Sequence, residues 1–560
     1  DARFGDYQAN CAMPLAKALG KPPRDVAAQI VQRLEVADLC EPPEIAGPGF
    51  INLRLNNSWL CAQLAAVSAD VHRLGIEPTD TPRSIVIDYS SPNVAKPMHV
   101  GHIRSTVIGD ALYRVLRLLG HRVISDNHIG DWGTQFGMII YGYKHFRDTE
   151  ALRANPVAEF TRLYRKVNAL VEHHALVNEK IPAAKKDVEQ ARHRLEDVRD
   201  VTRPEDDKLA KKVAKRVRQA EGQLADSEKK LAELNERVAD FLADPEQAAL
   251  VAGHADIGQQ VLAETAKLHA GDPTNRSLWK DILPPCLAEI DATYRRLGVT
   301  FNHTLGESFY QDQLAGVVAD LSQLGLVTES DGAQCVFLAE FDTPMIVQKQ
   351  DGAFLYSTTD LATIRHRMQT WQPDAILYVV DHRQALHFKL LFAVARKWGY
   401  EQVELEHIQF GTVLGEDSRP YKTRTGDAVG LTGLLDEAVE RALTVVCEND
   451  DARDESLLDA DQRRAVAERI GIGAIKYADL AHNRTSDYVF SYDKMLAMTG
   501  NTATYMQYSY ARVTSIFEKG DVDVEQLRAA VAKESFLLTT SHERALGLAL
   551  LQFAEALDRV

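Results

Sequence analysis

The chain reads as an α/β protein. A Rossmann-like parallel-sheet catalytic domain carries a helical hairpin insertion, with a small α+β N-terminal domain before it and an all-α C-terminal bundle after it. Three observations predict this. Ile85-Val86-Ile87 is a short β-branched run, the pattern of a strand buried on both faces of a parallel sheet. The polar loop that follows, broken by Pro92 and Pro97, runs into apolar positions at helical spacing (Ile103, Val107, Ile108, Leu112, Val115, Leu116), so a helix starts near His99–Gly101. Beyond residue 431 the pattern is essentially all helical.

A chain of 560 residues has length for several domains and large cores. No run of about 18 apolar residues exists, so no membrane-spanning helix and no membrane partner is expected. The opening Asp-Ala-Arg-Phe has no methionine and no signal-peptide pattern, which reads as a trimmed chain and not a secreted one. Cys11, Cys40, Cys61, Cys286, Cys335 and Cys447 lie far apart without a C-x-x-C, so no metal site or disulfide framework is expected and a reducing cytoplasm fits. The net charge of −16 argues against a general nucleic-acid coat protein, while a local basic surface on an acidic body can still hold RNA phosphates.

In chain order, residues 1–80 alternate helical stretches (Leu15–Leu19, Val26–Leu39) with Pro/Gly punctuation and close on Phe50, Ile51, Leu53 and Leu55, an expected edge strand. The sheet domain spans 81–430. Its second strand is His121–Asp126, followed by the polar run Asn127–Phe136 at a strand's carboxyl end, where open α/β sheets bind ligands. Residues 145–290 interrupt the alternation with helix. Within them 176–243 carries Leu224, Leu231, Leu234 and Val238 at heptad-like intervals and a break at Thr202-Arg-Pro-Glu, predicting a projecting coiled-coil hairpin. Its charge is mixed, which suits a solvated helical pair as well as an RNA contact. Gln334–Leu338, Ala353–Tyr356 and Ala375–Asp381 are expected to complete the sheet. Residues 431–560 form the helical bundle, including the aromatic-rich Tyr505–Tyr510 stretch.

The chemistry concentrates on residues 83–110. A strand, a loop and a helix N-terminus collect anions, because unpaired N–H groups and the helix dipole point at the loop. His99 and His102 stand three apart on the first turn, with Gly101 between them leaving room for a ligand and Lys96 nearby. Such donors suit a phosphate undergoing substitution.

His99-Val-Gly-His102 resembles the "HIGH" signature of class I aminoacyl-tRNA synthetases. The longer run Ser90-Ser-Pro-Asn-Val-Ala-Lys-Pro-Met-His-Val-Gly-His-Ile-Arg-Ser-Thr is similar to arginyl-tRNA synthetases in particular. Phe4–Gln8, Gly47–Asn52, Asn127–Phe136 and Leu305–Tyr310 resemble the same family, so the likeness covers nearly the whole chain. It implies ATP-dependent activation of L-arginine and transfer to tRNA-Arg, with activation awaiting bound tRNA, in a cytoplasmic monomer. ATP is the substrate, carrying Mg2+. It assigns catalysis to His99, His102 and Lys96, and ATP binding to His99, Gly101, His102, Lys422 and Arg424. Lys422-Thr-Arg-Thr-Gly426 stands where the family's KMSKS loop is expected, without its usual second lysine. The resemblance further implies that Asp88, Tyr356, Asp360 and Gln384 line the arginine side chain, while Ser90 and Asn93 belong to the loop meeting its α-amino and carboxylate end. It also implies that 1–80 grips the outer corner of tRNA, and the helical bundle the anticodon. A planar guanidinium with five N–H donors calls for carboxylates and phenol or amide oxygens in fixed geometry, and selection of that kind needs no editing domain.

Two other readings fit parts of the pattern: a different adenylate-forming nucleotidyltransferase without tRNA, and a catalytically silent synthetase-like tRNA-binding protein. The all-helical C-terminal region speaks against the first, and intact His99, His102, Asn93 and Asp360 against the second.

Overall fold

The computed structural model describes residues 4–94, 96–199, 207–419, 421, 430–453, 457–531 and 537–559. Its centre is a five-stranded sheet of β1 (Ser84–Asp88), β2 (Arg122–Asn127), β3 (His303–Thr304), β4 (Ala375–Tyr378) and β5 (Glu404–His407). All neighbours pair in parallel, in the order β5-β4-β1-β2-β3. The chain leaves β1 toward β2 on one side and later returns to β4 on the other. The carboxyl ends of β1 and β4 therefore flank a topological switch point, the place where such sheets open a crevice. Val86, Ile87 and Ile376 have no exposed surface, as strands covered on both faces require.

Three helices carry the expected site residues: α1 (Val100–Leu118), α2 (Tyr356–Thr370) and α3 (Ala385–Lys397). Expectation and structure part at two places in the strand pattern. Phe50–Leu53 is the central strand of an antiparallel three-stranded sheet with Tyr7–Ala9 and Glu44–Ala46, not an edge. Short strands lie on both sides of it, and the helices Ala12–Leu19 and Pro23–Val31 pack against buried Ile51. Residues 333–336 do not join the parallel sheet; with Val327–Ser330 and Met345–Gln348 they make a separate antiparallel one. Residues 353–356 contribute a single bridge, Phe354 to Gln348, before α2 begins at Tyr356.

The insertion is helical as expected. Ile181–Arg199 and Asp207–Leu242 lie side by side as an antiparallel pair, cross-linked by Arg192–Glu228 (3.4 Å) and Arg199–Glu221 (2.7 Å). The C-terminal region is a bundle of Leu431–Asp451, Ala460–Ala481, Ala503–Lys519, Val524–Val531 and Ser541–Leu557. Among the described residues no helix is long and apolar enough to cross a membrane.

Beneath the switch point lies a buried charge cluster. Arg367, on the last turns of α2 and fully enclosed, donates to Asp88 at 2.6 Å and to Asp126 at 2.8 and 3.1 Å. The ring of Tyr378 faces the guanidinium at 5.4 Å. One side chain thereby holds the carboxyl ends of β1 and β2 and the helix carrying Tyr356 and Asp360. Those two carboxylates keep Arg367 charged well above the usual guanidinium range, against the opposing effect of burial. Removing one partner of a buried ion pair strands the others, at about 3–5 kcal/mol. Arg367→Ala should therefore lower the apparent Tm by about 3–4 °C in thermal unfolding, with Arg367→Lys intermediate because it keeps the charge but loses the fork. An unchanged Tm in Arg367→Ala would show that the cluster does not hold the sheet.

Candidate active site at the carboxyl ends of the sheet

Each strand exit supplies part of the site. The loop after β1 leaves through Ser90 and Ser91, both left-handed at φ 72° and 44°. Left-handed non-glycine residues store strain that surrounding contacts must hold. The holding bonds are present: Ser90 N–H donates to Ser105 Oγ at 2.8 Å, and Ser91 N–H to Asn127 Oδ1 at 3.1 Å. Ser90 Oγ lies 2.7 Å from Thr106 Oγ1 and 2.8 Å from Tyr294 OH. Asn93 then bridges to Gly130 in the loop after β2. A Cβ on Gly130 would lie 2.3 Å from Asn93 Oδ1, so only glycine permits this approach.

The two histidines close the helix start on themselves. His99 is the N-cap of α1; its Nδ1 accepts Gly101 N–H at 3.1 Å, and its own N–H donates to His102 Nδ1 at 3.0 Å. This is a capping box with imidazoles in place of the usual hydroxyl and carboxyl groups. With both Nδ1 atoms accepting, each ring carries its proton on Nε2 as long as it is neutral. Burial pushes the His102 pKa down to about 3, helped by the neighbouring His99, while burial and then the charges of Lys96 and Arg383 hold His99 below the ordinary imidazole value. The rings stand 4.0 Å apart. The result is two neutral Nε2–H donors at a helix N-terminus. Gly101 is explained by the cap: a Cβ there would lie 2.9 Å from the His99 ring, so the space the sequence suggested for a ligand belongs to the imidazole.

A second cluster gathers acids. Asp360 lies on the second turn of α2, and its Oδ2 is 2.6 Å from His387 Nε2 on α3. The cap residue of α2 is Leu355, so Asp360 is not engaged in capping. The Tyr356 ring stands 4.9 Å from His387 and is largely exposed. Glu307, just after β3, is raised to about 7, first by burial and also by the charges of Asp131 and Asp360, with His128 acting in the opposite sense. Among the described residues no lysine or arginine pairs with Glu307 or Asp360.

The remaining expected residues fall differently. Asp88 does not stand open to a substrate guanidinium: Oδ2 accepts from Arg367, and Oδ1 accepts from Ser91 Oγ at 2.9 Å. Ser90 is likewise engaged within the scaffold. The Lys96 ammonium sits over the Tyr164 ring of the insertion at 5.0 Å, reaching His99 through its field. Gln384 is exposed at the turn that opens α3. Lys422 and Arg424 lie outside the described residues. Four residues that matter here were not singled out as site candidates. Glu307 sits inside the quoted Leu305–Tyr310 phrase and His387 three residues past Gln384, so strand-exit position marked both; Arg367 and Arg383 carried no local signal.

These features were compared with known proteins. A family model described as tRNA synthetases class I (R), catalytic domain, matches residues 65–492, and one described as Arginyl tRNA synthetase N terminal domain matches residues 1–55. The parallel sheet, the histidine-capped helix and the longer match define a class I synthetase. The curated arginine–tRNA ligase of Rhodopirellula baltica is 51% identical over 577 residues, spanning 100% of this chain and 85% of that protein. That of a Synechococcus strain is 40% identical, spanning 100% and 82%. The chain belongs to the arginyl-tRNA synthetase family. The solved arginyl-tRNA synthetase of Plasmodium falciparum superposes with a TM-score of 0.69 at 26% identity, covering 99% of this chain and 81% of that one. The Thermus thermophilus enzyme shares the fold at a TM-score of 0.68 and 20% identity, covering 100% and 82%.

The cap geometry makes a spectroscopic prediction. In 15N-histidine-labelled protein, His102 should show one Nε2–H tautomer and no titration between pH 5 and 8. His102→Ala, which removes an N-cap acceptor, should lower stability by about 1 kcal/mol in denaturant unfolding. A His102 midpoint near 6.5 would contradict the assignment.

Proposed function

We propose that the chain is an arginine–tRNA ligase. It activates L-arginine with ATP to arginyl-adenylate, releases diphosphate, and transfers the arginyl group to tRNA-Arg, with activation awaiting bound tRNA. The observation that carries the substrate choice is the acid cluster. Among the described residues Glu307 and Asp360 pair with no lysine or arginine. Asp360 bears on Glu307 and meets His387, the His387 ring stands against Tyr356, and the cluster shares the sheet end with the histidine-capped helix. A guanidinium entering there meets two carboxylates and a phenol, and its five donors can be satisfied together. Gln384 and Tyr356 flank the mouth, and Asn93 meets the α-amino and carboxylate end. Asp88 and Ser90 act from beneath, by fixing the loop and the Arg367 cluster.

In the reaction the arginine carboxylate attacks the α-phosphorus and the bond to diphosphate breaks. No proton needs to be removed from an arginine carboxylate at neutral pH, so the site needs donors and not a base. The neutral Nε2–H groups of His99 and His102 suit that task. Lys96 and Arg383 add positive field, and Lys422 and Arg424 are expected to clamp the opposite side. Mg2+ is expected to arrive on the nucleotide phosphates, since among the described residues no group of three or more His, Cys, Asp or Glu could hold a metal ion. Residues 1–80 and 431–560 are taken as the tRNA-gripping units around the 81–430 catalytic domain. Unpaired cysteines support a reducing cytoplasm, and we take the chain to act as a monomer.

Pyrophosphate exchange over a panel of amino acids, with and without tRNA, tests this reading. Exchange should occur with arginine and only when tRNA is present; exchange driven by another amino acid would refute the substrate, and full exchange without tRNA would refute the coupling. Asp360→Asn should raise the KM for arginine between tenfold and about 150-fold, as loss of a charge-assisted hydrogen bond of about 1.5–3 kcal/mol implies, with little change for ATP. Equal effects on both substrates would place Asp360 outside the arginine pocket. A group raised to about 7 is a neutral acid below that pH and a carboxylate above it. The KM for arginine should therefore climb as pH falls below 7, by up to about tenfold per unit. Glu307→Gln should flatten that profile, and a profile unaltered by the substitution would remove Glu307 from the pocket.

A further inference from the structure

The largest element with no part in the site is the arm. Helix runs from Pro156 through a π-helical turn at Leu176–Lys180 into Ile181–Arg199, and Asp207–Leu242 returns beside it. Its seam is internally satisfied: Val188, Ala191 and Leu195 are buried on one helix and Ala220 on the other. Phe241 still packs on the body, its ring 4.9 Å from His173. At 1.5 Å per residue, residues near 215 stand about 40 Å further out along the helix.

Charge is graded along this arm, a feature that its mixed total hides. Toward the body the return helix carries Asp226, Glu228, Glu233, Glu236 and Asp240 against Lys229, Lys230 and Arg237. Further out the sequence of this helix sets Lys208, Lys211, Lys212, Lys215, Arg216 and Arg218 against Asp207 and Glu221; Lys212, Lys215, Arg216 and Arg218 are exposed, and Arg199 already holds Glu221 at 2.7 Å. No described carboxylate pairs with any of these four. Lys212, Lys215 and Arg216 fall at i, i+3 and i+4, so their charges crowd one face, an arrangement that weakens an isolated helix. Between residues 181 and 241 the described surface shows no exposed large hydrophobic side chain. A protein partner is usually anchored by aromatic or aliphatic groups. A strip of long cations without such anchors matches a phosphodiester backbone. Basic residues recur at the arm's root, where Arg162, Arg165 and Lys166 line an open cleft together with Glu289. That cleft shares Val157, Thr161 and Glu289 with a pocket lined by Lys96, in the loop that leads to His99.

We propose that the arm is an RNA-backbone clamp, whose distal cationic face holds phosphates of the bound tRNA far from the reaction centre. The identity of the RNA rests on the arginine–tRNA ligase reading. The clamp adds affinity without reading bases, since phosphate contacts position and do not specify.

The test uses the full chain with Lys212→Glu, Lys215→Glu and Arg216→Glu combined, and the milder Gln replacements at the same positions. Binding of tRNA-Arg is titrated between 50 and 300 mM NaCl, with circular dichroism as a check on the coiled coil. The Glu variant should bind at least tenfold more weakly at 100 mM salt. The slope of log affinity against log salt should fall by about 2–3 in both variants, about 0.7–0.9 for each of the three lost phosphate contacts. The KM for arginine and the charging rate at saturating tRNA should stay unchanged. Should the Glu variant lose helicity, the Gln variant decides by its slope alone. Unchanged affinity and slope in a helical variant overturn the proposal and leave an acidic protein as the occupant of that face. If the wild type itself neither binds nor charges tRNA-Arg, the ligase reading fails instead, and the two failures are told apart.

Discussion

The fold turns on a problem of buried charge. Asp88 and Asp126 end neighbouring strands at the floor of the crevice, where neither can be hydrated, and both face Arg367, which the chain brings back from α2. Burying ions is unfavourable unless geometry and hydrogen bonding compensate, and a hydrophobic cluster of equal volume would serve stability as well or better. What the ionic solution adds is direction. The guanidinium fork fixes two strands and one helix in a single orientation, and that helix presents Tyr356 and Asp360 to the crevice. The resident guanidinium also occupies the deepest carboxylates, while among the described residues Glu307 and Asp360 pair with no lysine or arginine, Asp360 meeting His387 instead.

The phosphate side follows a different economy. A helix N-terminus leaves backbone donors unsatisfied, and most proteins cap them with Ser, Thr, Asp or Asn. Here the cap is made by the imidazoles themselves, so fixing the helix end and orienting the two Nε2–H donors are one act. Because each Nδ1 is committed to the backbone, rotation of either ring would break a cap. The Nε2–H vectors are therefore set before any ligand arrives, the form of preorganisation on which electrostatic stabilisation depends. Neutrality follows from the same enclosure, since a protonated ring would lose its Nδ1 acceptor as well as its hydration.

Much of this was legible in the sequence, and the reasons are particular. The β-branched run at 85–87, the loop prolines and the apolar spacing after residue 103 gave β1 and the start of α1 to within a residue. The heptads of 224–238 gave the arm. Phe50–Leu53 was misplaced because periodicity says which face of a strand is buried, never how many neighbours it has. Residues 333–336 were assigned to the wrong sheet for the same reason. In the site, the histidine spacing marked two rings that the structure brings together at the helix start, whereas Asp88 pairs within the scaffold: an acid at a strand end has the same local signature whether it meets a ligand or a side chain 279 residues away. Arg367 was invisible because its meaning lies wholly in tertiary contact, and Gly101 was credited to a ligand because a ring folding back over its own helix cannot be seen in a motif.

Helix α1 is also held from the opposite direction. Arg104, on α1 one turn past the cap and 1% exposed, donates to Asp479 at 2.8 Å and to the carbonyls of Ser486 and Arg484 at 3.0 and 3.2 Å. Asp479 lies on the bundle helix Ala460–Ala481, and the stretch after it pairs back onto Val413–Leu414 through Tyr488–Val489. At the far end of the bundle Arg544 grips Asp6 of the N-terminal domain with two bonds of 2.7 and 2.8 Å. The helical bundle thus touches both the terminal domain and the helix capped by His99 and His102. A shift of Ala460–Ala481 by even an ångström would have to be taken up by Arg104, which has no solvent to move into, or by α1. Since interiors transmit strain and do not absorb it, the bundle helix Ala460–Ala481 is in mechanical contact with the helix start at His99 and His102 through one fully buried ion pair.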